Sequence, residues 1–466
     1  MPDAGGNRPT RGWLGLCVLA LALLLTPVDE GAAQALQPSD NPFCDWEIRG
    51  TIEAGLVDRV AHAASDWPPQ TLLCLDSPGG NLIEGAALFD QLFAADVITV
   101  IPPGWRCESA CAVAFLAGGI WAGSHVIHWP QRILYPGGRL GFHAPSLGLQ
   151  GSGPFSSEDI ARAFVIAVAS ADRIVQLSQV EEQGNTPLNG FLLRRILGTP
   201  PEAMARIDTI VEAALADLEV AGLPGPAQLN AETAENACDL AITRHRQRHL
   251  RSGMDLPALL EGLSELRQWR RDTEHAEIRT GTARMDGRTV AQALVTHYPT
   301  DVARHMLACE ITLGVEPDAV PGTRHSLNNA PQRMALIVLR VHRWGVGYGQ
   351  DAAFGEPEVV ARFAVPAWFM HPPETPLARF TPPPDTPVLL PATDLPGHDL
   401  TSRGIRDVSL DGCVRACREM RGCRAFSYIE DRRWCWPKAI PGEGQFDHRI
   451  MSGIMPGVSW HRDGQR

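Results

Sequence analysis

The sequence predicts an α/β unit built on a parallel sheet, an α+β region after it, and a small disulfide-stapled module at the C-terminal end. Three observations carry that prediction. Strand-like apolar runs alternate with helical periodicity through the first half of the chain, the pattern of parallel strands joined by crossover helices. Nine prolines fall within residues 371–396, a density that neither a helix nor a central strand tolerates. Four cysteines crowd into residues 413–435, in a stretch too short to be held by an apolar core alone.

The elements follow in order. Arg8 and Arg11 precede an apolar run over residues 13–25, and a small-residue stretch ends at Ala33-Gln34-Ala35. This is the pattern of an export signal, expected to span residues 1–35 and to be cleaved after Ala35. The run is shorter than the roughly 20 residues of a membrane span. A periplasmic or secreted protein is therefore expected. Residues 36–225 form the α/β unit. A strand at 71–75 runs into Asp76-Ser77-Pro78-Gly79-Gly80, and an amphipathic helix over 81–95 places Leu82, Ala86, Phe89 and Phe93 on one side. A strand at 97–101, a short apolar helix at 110–116 and a strand end at 139–143 come next. Ser156, three residues before Asp159, opens a helix over 157–179.

Residues 226–370 read as α+β, with helices near 231–249 and 256–271 and strands near 334–342 and 358–364. The Arg-His run at 244–251 reads as a solvated helix face. No functional argument attaches to this region. Residues 371–396 read as a semi-rigid linker, and residues 397–457 as the last module.

Composition removes several chemistries. The 466 residues carry 53 acidic and 41 basic side chains, a net charge of −12, against the basic footprint of a nucleic-acid binder. Lys438 is the single lysine; the other basic residues are arginines. A phosphate-binding loop, a Schiff-base enzyme or a Ser–Lys dyad in the first domain would lack its amine, and arginine does not replace it. Cys17 lies in the signal. Ten cysteines remain: Cys44, Cys74, Cys107, Cys111, Cys238, Cys309, Cys413, Cys417, Cys423 and Cys435. An even count in an exported chain favours disulfides over metal ligation. Cys107 either bonds Cys111, four residues on, or one of the two takes Cys74. Cys238 and Cys309 are candidate partners. The C-terminal spacings of 4, 6 and 12 fit zinc poorly. No metal or cofactor is expected.

Three short segments carry chemistry. A strand entering Ser77-Pro78-Gly79-Gly80 leaves backbone N–H groups unshielded by side chains, suited to an oxyanion. Ser109 opens an apolar helix at that helix's positive end, where a serine is either an N-cap or a nucleophile. His143 ends a strand, between a glycine-rich turn and Ala144-Pro145, where it can serve as a base. In this order the three segments resemble the proteolytic subunit of the Clp proteases, within the wider crotonase-like fold. The likeness is to exported members in which cysteines flank the serine, and it covers about residues 45–225.

That resemblance implies a serine peptidase, and the expected export, which takes the chain away from ATP, implies that it works without an ATP-driven partner. Ser109 would be the nucleophile and His143 the general base and acid. The amides of Gly80 (or Gly79) and Ala110 would form the oxyanion hole, and Asp208 the orienting acid. The substrate would be a peptide or protein, with a homo-oligomer as an allowed assembly. Residues 120–133 are an addition relative to cytosolic members; His125 and His128 in it read as loop residues rather than metal ligands, and its position near the proposed site leaves room for a covering flap. A crotonase-like hydratase is the weaker enzyme reading, and a non-catalytic binding protein on a degenerate scaffold is the rival class.

Residues 397–457 resemble a PAN/apple domain. A helix carries Cys413 and Cys417, then follow Cys423-Arg424-Ala425-Phe426-Ser427-Tyr428, Trp434-Cys435-Trp436-Pro437-Lys438 and Ser452-Gly453. The resemblance implies disulfides Cys413–Cys435 and Cys417–Cys423, and a protein or carbohydrate ligand. Trp434, Trp436 and Tyr428 are candidates for lining its site.

Overall fold

The computed structural model describes residues 35–39, 41, 43–122, 127–145, 156–180, 186–221, 223, 228–249, 255–273, 276–285, 288–299, 305–315, 334–343, 359–381, 386–442, 444–456 and 458. Apart from Ala35, the expected export signal lies outside them, as does His125.

The first unit runs β1 (Ala35–Pro38), β2 (Trp46–Arg49), α1 (Leu56–Ala64), β3 (Leu72–Asp76), α2 (Leu82–Ala94), β4 (Ile98–Ile101), β5 (Arg106–Glu108), α3 (Ala110–Phe115), β6 (Gly119–Ala122), β7 (Ile127–Pro130), β8 (Arg132–Leu134) and β9 (Arg139–Phe142). It continues through α4 (Ser157–Leu177), α5 (Gly190–Gly198), β10 (Ala205–Arg206), α6 (Ile210–Leu215) and β11 (Glu219–Val220). A six-stranded sheet has the order β1-β2-β3-β4-β8-β11. Its strands are parallel except β1. β4 is buried at every residue and β3 at all but its last, as expected for strands covered on both faces. α2 starts where Asn81 accepts hydrogen bonds from the amides of Ile83 and Glu84.

A second sheet, β10-β9-β5, stands beside the first. The two are joined where Ser77, just past β3, pairs with Cys107 of β5. This junction sets the Pro78-Gly79-Gly80 turn against the start of α3.

The middle region adds α7 (Ala231–His249), α8 (Leu256–Asp272) and an antiparallel meander of β12 (Ile278–Met285), β13 (Arg288–Pro299), β14 (His305–Val315), β15 (Met334–Arg343) and β16 (Val359–Pro366). β12 interleaves Arg279, Gly281 and Arg284 with few apolar residues, so periodicity does not announce it. One continuous core runs from Ile48 and Phe89 through Cys238, Val295 and Ile337 to Trp368. The middle region is thus packed onto the α/β unit.

The linker expectation for 371–396 needs correction. Leu377 is buried, and its N–H donates to the Asp208 carbonyl at 2.8 Å. The amides of Ile210 and Val211 donate to the carbonyls of Thr375 and Pro373. This stretch is a strap across the α/β unit. Its far end forms β17 (Val388–Asp394), which pairs with β20 (Gln445–Ile454), so the last module begins before residue 397. Proline is barred from helix interiors and central strands but not from edges, and β17, with Pro391, is an edge strand. The module is completed by α9 (Leu410–Glu419), β18 (Ala425–Ile429) and β19 (Trp434–Lys438), in the sheet order β17-β20-β18-β19. Among the described residues five disulfides are formed: Cys44–Cys74, Cys107–Cys111, Cys238–Cys309, Cys413–Cys435 and Cys417–Cys423.

Candidate active site

Ser109 sits in a sharp strand-to-helix turn between β5 and α3, with φ 58° and ψ −124°. A side chain rarely occupies this backbone region, and holding it there costs about 1–3 kcal/mol. The surroundings impose it. The Ser109 N–H is tied to the Gly141 carbonyl of β9 at 3.0 Å, and the Glu108 N–H to the Ser77 carbonyl at 3.1 Å. The Cys107–Cys111 disulfide closes the turn from both sides. Ser109 does not cap its helix: its hydroxyl makes no cap hydrogen bond. Of the two roles open to a serine at a helix start, the structural one is not taken.

Gly79 lies directly against this turn. It has φ +99°, and a Cβ there would stand 2.6 Å from Ser109 Cβ and 2.7 Å from the Glu108 carbonyl oxygen. Only glycine lets the two backbones approach so closely. The Gly79 N–H is engaged by Ser77 Oγ at 3.0 Å, and its carbonyl accepts the Ile52 N–H at 2.7 Å. That leaves Gly80, not Gly79, as the turn's donor. Among the described residues neither the Gly80 nor the Ala110 amide has an acceptor. The Ala110 amide is at the first position of α3, where helix geometry leaves N–H groups unpaired.

His143 follows β9 and is half-buried. Its Nδ1 lies 2.7 Å from the Ala144 carbonyl oxygen, and the Ala144 N–H is tied to the Thr199 carbonyl at 2.8 Å. Ser109, His143 and Gly80 line one cavity of about 710 Å³. Its walls are largely apolar, with Ile52, Leu82, Val113, Phe142 and Ile196; Ile83 and Ile166 line it too and are half exposed. Glu53 is the carboxylate among its lining residues.

Asp208 is not brought to this cavity. β10 pairs antiparallel with β9, Ala205 opposite Phe142 and Arg206 opposite Gly141. The Ile207 N–H then bonds the Leu140 carbonyl. That register sets Asp208 level with Arg139, four residues before His143, or about 13 Å along the strand. The Asp208 N–H donates to Glu212 Oε2 at 2.9 Å. Burial, reinforced by the Glu212 carboxylate, pushes the Asp208 carboxyl above its usual range.

Glu108, which the sequence did not single out, is buried beside the Ser109 turn and paired with Arg206 at 3.2 Å. The described part of residues 120–133 does not cover the site. β6 and β7 form a hairpin tied to the end of α2 through Trp121, whose Nε1 donates to the Phe93 carbonyl at 2.9 Å. No described residue of 120–133 lines the cavity. His128 is buried against the Phe93 and Trp121 rings. Burial and the Arg132 charge lower its pKa to about 3. Among the described residues no cluster of three His, Cys, Asp or Glu side chains is placed to hold a metal.

In the C-terminal module, Cys413 and Cys417 share the inner face of α9 and bond Cys435 and Cys423. Lys438 is buried, its Nζ donating to Asp399 Oδ1 at 2.6 Å and to the Gly397 carbonyl at 3.2 Å. Tyr428 is core rather than ligand surface: it is buried and donates to the Val408 carbonyl at 3.0 Å. Trp434 is partly exposed beneath the guanidinium groups of Arg406 and Arg432.

A family model for the PAN domain matches residues 393–440. Residues 393–440 are a PAN domain. PAN domains are in general protein- or carbohydrate-binding modules, and a chain with this domain and five disulfides among its described residues fits an extracellular protein. Among the described residues no helix is long and apolar enough to cross a membrane. No curated protein matches the chain. Among solved structures, a point mutant of ClpP1 from Listeria monocytogenes aligns at 17% identity over 29% of this chain and 73% of that one, with a TM-score of 0.21. A score so low carries no argument about the rest of the molecule, and the PAN domain is the part with a family of its own.

Proposed function

We propose that this chain is an exported serine hydrolase, acting on peptide or ester bonds in the manner of the Clp-like peptidases, with its PAN domain holding it to a protein or glycan. The observation that carries the reading is Ser109: a serine in a strained backbone conformation, with an uncapped hydroxyl, sharing one cavity with His143 and the Gly80 amide. Strain of this kind persists only where the surroundings enforce it. In this reading His143 takes the Ser109 proton as Oγ bonds to the substrate carbonyl carbon. The resulting oxyanion accepts hydrogen bonds from the Gly80 and Ala110 amides. The proton passes to the leaving group as the scissile bond breaks, and water then releases the acyl group by the reverse sequence.

A fluorophosphonate probe should label the wild type and not Ser109→Ala. Equal labelling of the two would refute the assignment. One observation favours a second reading, a binding protein on an inactive scaffold: Asp208 stands far from His143. That reading would gain if Ser109→Ala and His143→Ala left ligand capture intact while removal of the PAN domain abolished it.

A further inference from the structure

Resting on the hydrolase reading, we propose that the site is a Ser–His dyad in which the main-chain carbonyl of Ala144 takes the orienting role that a carboxylate has in a triad. Three sets of contacts converge on this. His143 Nδ1 is 2.7 Å from the Ala144 oxygen. A carbonyl only accepts, so the hydrogen bond requires the proton on Nδ1 and leaves the Nε2 lone pair as the base.

The carbonyl is itself held. The Ala144 N–H is fixed to the Thr199 carbonyl at the end of α5, and Thr199 Oγ1 donates to the Arg195 carbonyl at 2.6 Å. Pro145 follows and restricts Ala144 to extended backbone. The acceptor is therefore as fixed as a buried side chain would be.

Among the described residues no carboxylate is hydrogen-bonded to the His143 ring. Asp208 is about 13 Å along the strand from His143, and both its backbone groups are in use, the carbonyl by the strap. Continuing the β9–β10 register by one pair would set Met204, not an acid, beside His143; its side chain packs against Gly141. Glu108 is paired with Arg206. Glu53 lines the cavity next to Ile52, the bridge partner of Gly80. The neutral acceptor orients the ring without adding the electrostatic support that a buried carboxylate gives the imidazolium.

Two measurements test this on the full-length protein. The first is the rate of fluorophosphonate labelling as a function of pH. Asp208→Asn should stay within about threefold of wild type with an unmoved pH profile, and Glu53→Gln, at the cavity wall, should lose far less than a triad acid does. Pro145→Gly, which frees the Ala144 carbonyl, should slow labelling by about tenfold or more at unchanged probe affinity. A roughly 10⁴-fold loss in either acid variant, the size seen when a true triad acid is neutralised, would overturn the proposal. The second needs no activity: ¹⁵N NMR of the histidine rings, with His143→Gln to assign the signal. The Nδ1–H tautomer is expected in both wild type and Asp208→Asn. The Nε2–H tautomer, or a signal that shifts in Asp208→Asn, would refute the dyad even where Ser109 labels normally. Failure of Ser109 to label with the Nδ1–H tautomer intact would instead refute the hydrolase reading.

Discussion

Replacing both cysteines that bracket Ser109, Cys107→Ala/Cys111→Ala, should separate the proposed activity from stability. The disulfide spans a sequence separation of four, so it closes a small loop. Loop-closure entropy for about five residues is worth roughly 2 kcal/mol at 25 °C. Both cysteines are fully buried, and truncating the two side chains adds a loss on the order of 1 kcal/mol each. A protein with this core should therefore stay folded. The effect on Ser109 differs in kind. Its conformation at φ 58° carries about 1–3 kcal/mol of strain, and the bridge restrains both ends of the turn. If the turn relaxes by that amount, the poised conformer falls about 5- to 150-fold in population, and fluorophosphonate labelling slows by the same factor. The assay is the second-order labelling rate alongside urea unfolding. A variant that is less stable by about 2–4 kcal/mol yet labels at the wild-type rate would show that the hydrogen bonds to Gly141 and Ser77 suffice, and would refute the clamp.

Three further outcomes are expected. Gly79→Ala should lose about 2–5 kcal/mol, from its positive φ and from overpacking against Ser109, and should label poorly. Gly104→Ala, also at positive φ but with open space around it, should lose only the backbone part; equal melting of the two variants would refute the contact. His128 has a folded-state pKa lowered to about 3 from 6.5, so as pH falls below 6.5 the unfolded state takes the proton first. Its contribution is complete above pH 6.5 and lost toward pH 3. Wild type should therefore lose about 2 kcal/mol more than His128→Leu between pH 7 and 5, and parallel pH profiles in urea unfolding would refute it. Lys438→Met should cost the C-terminal module about 1–3 kcal/mol, since Asp399 is only partly buried and regains water; fluorescence-monitored unfolding with no change would refute that role.

Much of the first unit was legible because its signals are local. Asn81 and Ser156 cap the helices they were read to start, and α7 and α8 lie where periodicity put them. Cys238 and Cys309 pair across a separation of 71 residues. β12 to β14 were not legible, since strands whose apolar residues are diluted by arginine, threonine and glycine leave no clean alternation. The strap was misread for a related reason: proline density excludes helices but says nothing about whether extended chain packs. Asp208 shows the same limit at the site, because distance from His143 depends on the register of β10 against β9, and register is set by pairing partners rather than by spacing in sequence.

The sequence by itself determined the kinds of chemistry open to this chain. One lysine removes the amine mechanisms, cysteine parity and spacing mark the stapled modules, and glycines at 79 and 80 mark where backbone approaches backbone. Only the tertiary structure decided what becomes of those residues. Ser109 leaves its helix uncapped because β9, the Gly79 turn and the cystine hold its backbone at positive φ, Gly80 rather than Gly79 keeps its amide because Ser77 occupies the other, and His143 meets a carbonyl instead of an acid. The first depends on contacts of Ser109 with Gly141 and Gly79, about thirty residues away, which no local pattern encodes; the other two are contacts with near neighbours in the chain, formed only because the surrounding fold fixes those backbones.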